Sequence, residues 1–227
     1  MGTDKNEKAK RTAGEKAAEY VRDGMVVGLG TGSTAYWAIK KIGEMVKDGL
    51  KVRALATSRQ SEQLAHEASI PIISFEGIDR IDVTIDGADE GDRDMNLVKG
   101  GGGALTREKI IGAATELYII VMDEGKLVDQ LGKFPLAVEV LPFGWQMTQR
   151  KLSELGCNPV LRLSNGNAYE TDNGNYIIDC AFGTIITPAS LQVEINSIAG
   201  VVENGLFVNM ADIMLVASNR GEVEIIN

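Results

Sequence analysis

Apolar positions along the chain follow two rhythms. Met25-Val26-Val27-Gly28-Leu29 and Tyr118-Ile119-Ile120-Val121-Met122 are runs of strand length with almost no polar break, as expected of strands buried on both faces. Between them, Ala35, Ala38, Ile42 and Met45 recur at steps of three and four, which makes one apolar face of a helix. Read in these two periods, the first half predicts a helix over Lys8–Val21, a strand over Met25–Leu29 and a helix from Ala35 to Met45. A strand over Val52–Ala56, a helix over Ser58–Ala68 and strands over Ile70–Ser74 and Ile81–Ile85 follow. A short strand at Asn96–Val98, a helix opened by Thr106 and running to about Glu116, and the Tyr118–Met122 strand complete it. Strands alternating with helices predict an α/β fold with a doubly wound, mostly parallel, Rossmann-like sheet. Such sheets take their ligands beyond the carboxyl ends of the strands. The loops after Leu29, Ile85, Val98 and Met122 are therefore expected at one edge.

The texture changes near Lys133. Strand Pro135–Leu141, helix Gly144–Leu155, strands Pro159–Leu163 and Tyr176–Ala181, helix Pro188–Ala199 and strand Val201–Val208 give the order βαββαβ. That order predicts a smaller ferredoxin-like α+β domain, with Asp172-Asn173-Gly174-Asn175 as a turn inside it. The tail, Asp212–Ala217 and Glu222–Ile226, is expected back in the large sheet. The domain expectation is a Rossmann-like catalytic domain over residues 1–132 and 208–227 and a small domain over residues 133–207.

Charge narrows the partners. The 227 residues carry 32 acidic and 23 basic side chains, a net charge of −9, which disfavours nucleic acid because phosphate backbones are held by clustered Lys and Arg. An anionic small molecule stays open if a few positive groups converge. Two cysteines, Cys157 and Cys180, make neither a disulfide framework nor a metal-ligand spacing. The amino-terminal stretch has no apolar signal core, and no apolar run nears the ~20 residues of a membrane helix, so a cytoplasmic protein without membrane contact is expected.

Four clusters carry candidate chemistry. Gly28-Leu29-Gly30-Thr31-Gly32-Ser33-Thr34 joins a strand to a helix; glycines let the backbone approach a ligand, and the helix start offers N–H groups to an anion. It has no Lys where a P-loop needs one, and Ser33 stands where a dinucleotide fingerprint has its third glycine. Asp86-Gly87-Ala88-Asp89-Glu90 places three acids at a strand end, suited to sugar hydroxyls, proton transfer or Mg²⁺. Lys99-Gly100-Gly101-Gly102-Gly103 sets bare N–H groups beside an ammonium, a pattern that suits a developing oxyanion. Glu108 follows in the first turn of the next helix, where a carboxylate also complements the helix dipole. The single histidine, His66, lies far from these loops and reads as a surface or packing residue. Trp37, Trp145 and the methionines read as core. With no Ser-His-Asp set, acid–base work falls to carboxylates and Lys, and the parts together suit proton transfer beside a carbonyl in a phosphorylated substrate.

The blocks Gly30-Thr31-Gly32-Ser33-Thr34-Ala35, Asp86-Gly87-Ala88-Asp89-Glu90, Lys99-Gly100-Gly101-Gly102 and Ala104-Leu105-Thr106-Arg107-Glu108-Lys109 resemble the signature blocks of ribose-5-phosphate isomerase A. Leu131-Gly132-Lys133-Phe134-Pro135-Leu136 and Thr171-Asp172-Asn173-Gly174-Asn175 are also similar to that family, and the likeness runs in order over nearly the whole chain. The resemblance implies interconversion of D-ribose 5-phosphate and D-ribulose 5-phosphate through an enediolate, with no metal or other cofactor and with Glu108 as proton acceptor. It also implies substrate contacts at Thr31, Gly32, Ser33 and Thr34, at Asp86, Gly87, Ala88 and Asp89, at Lys99, Gly100, Gly101 and Gly102, and at Lys126. The roles expected are phosphate binding by Thr31–Thr34 with Lys126, hydroxyl binding and furanose opening by Asp86 and Asp89, and oxyanion stabilisation by Lys99 and the glycine amides. A homodimer or homotetramer is expected. The rival readings are a non-catalytic sugar-phosphate sensor, a Mg²⁺-dependent phosphotransferase using Asp86, Asp89 and Glu90, and an acyl-CoA transferase with a nucleophilic Glu.

Overall fold

The computed structural model describes residues 2–227, with side chains described from residue 6 onward. In chain order the elements are α1 (Gly2–Ala18), β1 (Val26–Leu29), α2 (Ala35–Lys47), β2 (Arg53–Ala56), α3 (Arg59–Glu67), β3 (Val83–Gly87), β4 (Glu90–Gly91) and β5 (Leu97–Val98). They continue with α4 (Leu105–Ala113), β6 (Tyr118–Asp123), β7 (Leu136–Val140), α5 (Trp145–Ser153), β8 (Asn158–Leu161), β9 (Leu163–Ser164) and β10 (Asn167–Ala168). The last are β11 (Tyr176–Ala181), α6 (Pro188–Asn196), β12 (Val201–Asn204), β13 (Leu206–Phe207), β14 (Ile213–Ala217) and β15 (Val223–Ile226). They form two compact units, one of Met1–Ala88, Arg107–Leu127 and Met210–Asn227, the other of Asp89–Thr106 and Val128–Asn209.

The first unit is built on a six-stranded sheet in the order β15-β14-β6-β3-β1-β2, parallel except for β15. Alternation along the strands sorts its two faces. Val27 and Leu29 of β1, Val83 and Ile85 of β3, and Ile119 and Val121 of β6 pack with Ala9, Ala13 and Ala17 of α1 and with Ile39 and Ile42 of α2. The alanines, at steps of four, let α1 lie close on the strands. On the opposite face Val26 packs with Leu55, Ile81 and Ile111 of α4. The order reverses between β1 and β3, and at such a switch point the loops of the two strands part to leave a crevice.

The second unit contains an antiparallel sheet in the order β12-β7-β11-β8, with α5 and α6 in the crossovers, as the βαββαβ reading requires. Its core joins Leu136, Val138 and Val140 of β7 to Ile178 and Cys180 of β11, Leu152 of α5 and Ile195 of α6. A separate three-stranded sheet, β13-β5-β4, and the β9–β10 hairpin complete it.

Several expectations need correction. The strand at Leu97–Val98 is not in the parallel sheet; it pairs antiparallel with β4 and β13. Ile70–Ser74 reduces to a single bridge between Ile72 and Ala54, since Pro71 supplies a carbonyl to Ala54 but has no N–H for a ladder. The expected Val201–Val208 strand breaks at Gly205, whose α-carbon lies so close to the Lys99 carbonyl that any Cβ there would overlap it. Trp37 and Trp145 are only half-buried and Met147 is 62% exposed, whereas Met122 and Met214 are core. Among the described residues no helix is long and apolar enough to cross a membrane.

Candidate active site

The carboxyl edge of the parallel sheet gathers the first group of candidates. At the switch point the Thr31 amide, in the loop after β1, donates to Asp86 Oδ1 at the end of β3 over 3.0 Å. The Gly87 amide donates to the same oxygen over 2.8 Å. The Tyr118 hydroxyl, from β6, donates to Asp86 Oδ2 over 3.1 Å. Asp86 is thus fully buried and braced from both neighbouring strands. Gly30 is required here, because a Cβ would collide with the Asp86 backbone and carboxylate.

The loop itself is sorted by burial. Thr31 places its hydroxyl in a buried cluster with those of Thr57 (2.7 Å), Ser58 (2.7 Å) and Ser61 (3.1 Å). The hydroxyl expected to meet an anion is thus engaged by three neighbouring hydroxyls, which anchor the loop. Ser33 and Gly32 are exposed at the loop tip. Thr34 stands at the amino end of α2, 2% exposed, its Oγ1 making no hydrogen bond within the described residues. A buried hydroxyl at the positive end of α2, whose Tyr36 and Trp37 amides are taken by the Gly32 and Thr34 carbonyls, forms an anion-binding corner. Gly30, Gly32 and Ser33 border a cavity of about 580 Å³ that Lys10 of α1, Tyr36 and Trp37 also line. Lys10 was not singled out from the sequence, where it sits in an unremarkable basic stretch of helix.

Lys126 ends a 3-10 turn after β6, and its Nζ donates to the Ala88 carbonyl over 2.5 Å, next to the Asp86-Gly87 turn. Glu108 lies in the first turn of α4 and is 5% exposed. Tyr118 feels both acids. Its phenol is held well above the usual tyrosine range by burial first, then by the charges of Asp86 and Glu108. Its ring occupies the space left by Gly112, one turn beyond Glu108 on α4, where a Cβ would sit 2.8 Å from Cε1. Tyr118, read from sequence only as an apolar strand residue, therefore donates to Asp86 within the field of Glu108.

The second unit holds the remaining candidates. Asp89 is half-buried, and its Oδ2 accepts the Gly101 amide over 2.7 Å. Lys99 is 2% exposed, with Nζ 5.3 Å from the centre of the Phe207 ring. The glycine segment departs from a ring of bare amides: Gly101 gives its N–H to Asp89, and Gly103 gives its N–H to the Gly100 carbonyl. Its carbonyls are taken as well, Gly100 and Gly101 by Arg162 and Gly102 by Tyr169, so it is an anchored turn and not a linker. Glu90, offered from the sequence as a metal ligand, is buried and accepts the amides of Gly132 (2.7 Å) and Phe134 (2.6 Å), a structural duty. Thr106 does not cap α4; it lies within the helix and donates its hydroxyl to the buried Glu139. His66 is exposed and 4.0 Å from Glu62.

Residues 53–221 match the family model of ribose 5-phosphate isomerase A (phosphoriboisomerase A). The chain is 49% identical over 213 residues to ribose-5-phosphate isomerase A of Bacillus mycoides, covering 93% of this chain and 96% of that protein. A solved D-ribose-5-phosphate isomerase in complex with phospho-erythronic acid superposes with a TM-score of 0.92 at 43% identity, over 96% of each chain. Ribose 5-phosphate isomerase from Plasmodium falciparum superposes with a TM-score of 0.94 at 38% identity, over 97% of this chain and 98% of that one. Anion corner, paired acids, buried glutamate and anchored glycine turn thus occur in a chain that belongs to the ribose 5-phosphate isomerase A family.

Proposed function

We propose that this chain interconverts D-ribose 5-phosphate and D-ribulose 5-phosphate through an enediolate, with Glu108 moving the proton between C2 and C1. Its family makes it an aldose–ketose isomerase; the route and the residue roles are our reading. The observation that carries it is Glu108 itself, a carboxylate shielded from water at a helix start, in the unit that also holds the anion corner. A positioned base of this kind supplies roughly 10²–10⁴ in rate.

The remaining roles follow from exposure and charge. Thr34 and Ser33, the amides at the start of α2, Lys126 and Lys10 hold the phosphate, with Thr31 anchoring the loop. Asp89, half-exposed, takes a sugar hydroxyl and assists furanose opening; Asp86, buried and braced, shares that task chiefly by fixing the loop and turn on either side of it. Lys99 and the Gly102 amide stabilise the enediolate oxygens. No step calls for a metal or an organic cofactor. The large domain carries the base, the small domain offers a surface for a homodimer or homotetramer, and the protein works in the cytoplasm. A solved relative's complex with phospho-erythronic acid, an acid phosphate of sugar type, supports a sugar phosphate as the ligand class.

Isotope tracing tests the route. Ribose 5-phosphate deuterated at C2, turned over in ordinary water with EDTA present, should lose part of its deuterium to solvent. Retention of all the deuterium through many reversible turnovers in a prolonged incubation points to hydride transfer and rejects the enediolate; dependence of turnover on a divalent metal rejects metal-free acid–base chemistry.

A further inference from the structure

The glycine turn is gripped from behind by an ion pair with no part in the chemistry described so far. Arg162, 15% exposed, makes a two-pronged pair with Asp179 of β11, Nε to Oδ2 at 2.9 Å and Nη2 to Oδ1 at 2.5 Å. Its remaining nitrogen, Nη1, donates to the carbonyls of Gly100 (3.0 Å) and Gly101 (3.1 Å). The guanidinium also sits 5.7 Å from the centre of the Tyr169 ring, whose hydroxyl donates to the Gly102 carbonyl over 3.2 Å. Three successive carbonyls of the turn are thereby fixed on one side.

A planar trans peptide points its C=O and N–H in opposite directions. With the Gly100 carbonyl on Arg162, the Gly101 N–H of that same peptide must face away, and it is found on Asp89 Oδ2 at 2.7 Å. With the Gly101 carbonyl on Arg162, the Gly102 N–H likewise faces away from the guanidinium. A Cβ at position 101 would lie 2.6 Å from Asp89 Oδ1, so glycine there lets the carboxylate stay on the Gly101 amide. We infer that Arg162, oriented by Asp179, is a positioning residue for the isomerase reaction: by holding two carbonyls it aims the Gly101 amide at Asp89 and turns the Gly102 amide away from itself. The inference rests on the reading above, in which Asp89 and the glycine turn meet the substrate.

Arg162→Lys tests it, since an ammonium retains the charge opposite Asp179 but lacks the planar fork that spans a carboxylate and two carbonyls at once. The expected result is a kcat reduced about 10- to 30-fold with KM changed less than about threefold, a melting temperature within a few degrees of wild type, and faster amide exchange at Gly101. The scale follows from oxyanion donors, whose outright removal costs roughly 10²–10³ in rate. Asp179→Asn should lower kcat less, as Arg162 keeps its carbonyls but loses its anchor. Unchanged kcat per folded molecule, or a rise in KM alone, overturns the inference and leaves the pair a structural brace. Wild-type protein without isomerase activity refutes the proposed function instead; in that event Gly101 exchange decides the positioning claim, unaltered protection in Arg162→Lys overturning it.

Discussion

Tyr118→Phe isolates one hydrogen bond in the unit that carries Glu108. The phenol is fully buried and donates to Asp86 Oδ2 at 3.1 Å, while its ring fills the space beside Gly112. Phenylalanine keeps the ring and removes the donor, so no cavity larger than one oxygen results. Hydrogen bonds to charged groups contribute about 1.5–3 kcal/mol, and the 3.1 Å length places this one near the lower end. For a chain of this size 1 kcal/mol shifts Tm by roughly 2–4 °C, so a fall of about 3–8 °C is expected at neutral pH. The pH dependence adds a sign. Burial and the charges of Asp86 and Glu108 hold the folded-state phenol well above its ordinary value of 10.0, so the unfolded chain releases this proton first. The stabilisation is whole below about pH 10 and is lost as pH rises from there towards the folded-state value, and the gap between wild type and Tyr118→Phe must narrow over that window. Thermal melts of the two proteins from pH 7 to 11, with Asp86→Asn and the double variant closing a cycle, measure it. A Tm within about 1 °C of wild type, or a coupling energy near zero, refutes the assignment of this phenol to Asp86.

Three further outcomes are expected. Gly101→Ala pushes a Cβ to 2.6 Å from Asp89 Oδ1, so the carboxylate must swing off the Gly101 amide; kcat should drop about tenfold or more, while chemical denaturation shows a loss of no more than about 2 kcal/mol. An unaffected kcat contradicts a substrate-facing role for Asp89. Glu139 is buried and accepts from Thr106, Thr171 (2.8 Å), Asn173 (3.2 Å) and Asn175 (2.9 Å), so Glu139→Gln, which keeps one oxygen and meets a Thr106 hydroxyl able to turn, should cost about 1–2 kcal/mol. Glu139→Ala orphans all four donors and should cost about 3–5 kcal/mol by urea titration; equal losses for the two variants would show that the carboxylate's hydrogen bonds carry no weight.

The parallel sheet was legible because β1 and β6 are apolar at nearly every position and α2 shows helical spacing, signals that arise within a few residues of one another. The βαββαβ order of the second unit was legible for the same reason, as were the acids after β3 and the glutamate at the start of α4. What escaped depends on partners distant in sequence. Asp86 reads as one of three acids at a strand end, and its burial follows only from Thr31 and Tyr118 closing on it from the neighbouring strands. The Thr171–Asn175 segment reads as a turn and a family block, but that its side chains satisfy Glu139 is hinted only by an acid in the otherwise apolar Leu136–Val140. The partners of the Thr31 hydroxyl, Thr57 and Ser58 at the carboxyl end of β2, lie more than twenty residues further along the chain, so its place in a hydroxyl cluster has no local signal. Arg162 carried no local signal at all, since its meaning lies in carbonyls some sixty residues earlier.

Turnover of ribose 5-phosphate by Glu108→Gln, measured in EDTA beside wild type and normalised to folded protein, bears most directly on the central claim. Glutamine preserves the shape of the buried side chain and cannot accept the proton, so kcat should fall by at least about a hundredfold with KM little changed. Turnover close to that of wild type in a folded Glu108→Gln protein would contradict the account.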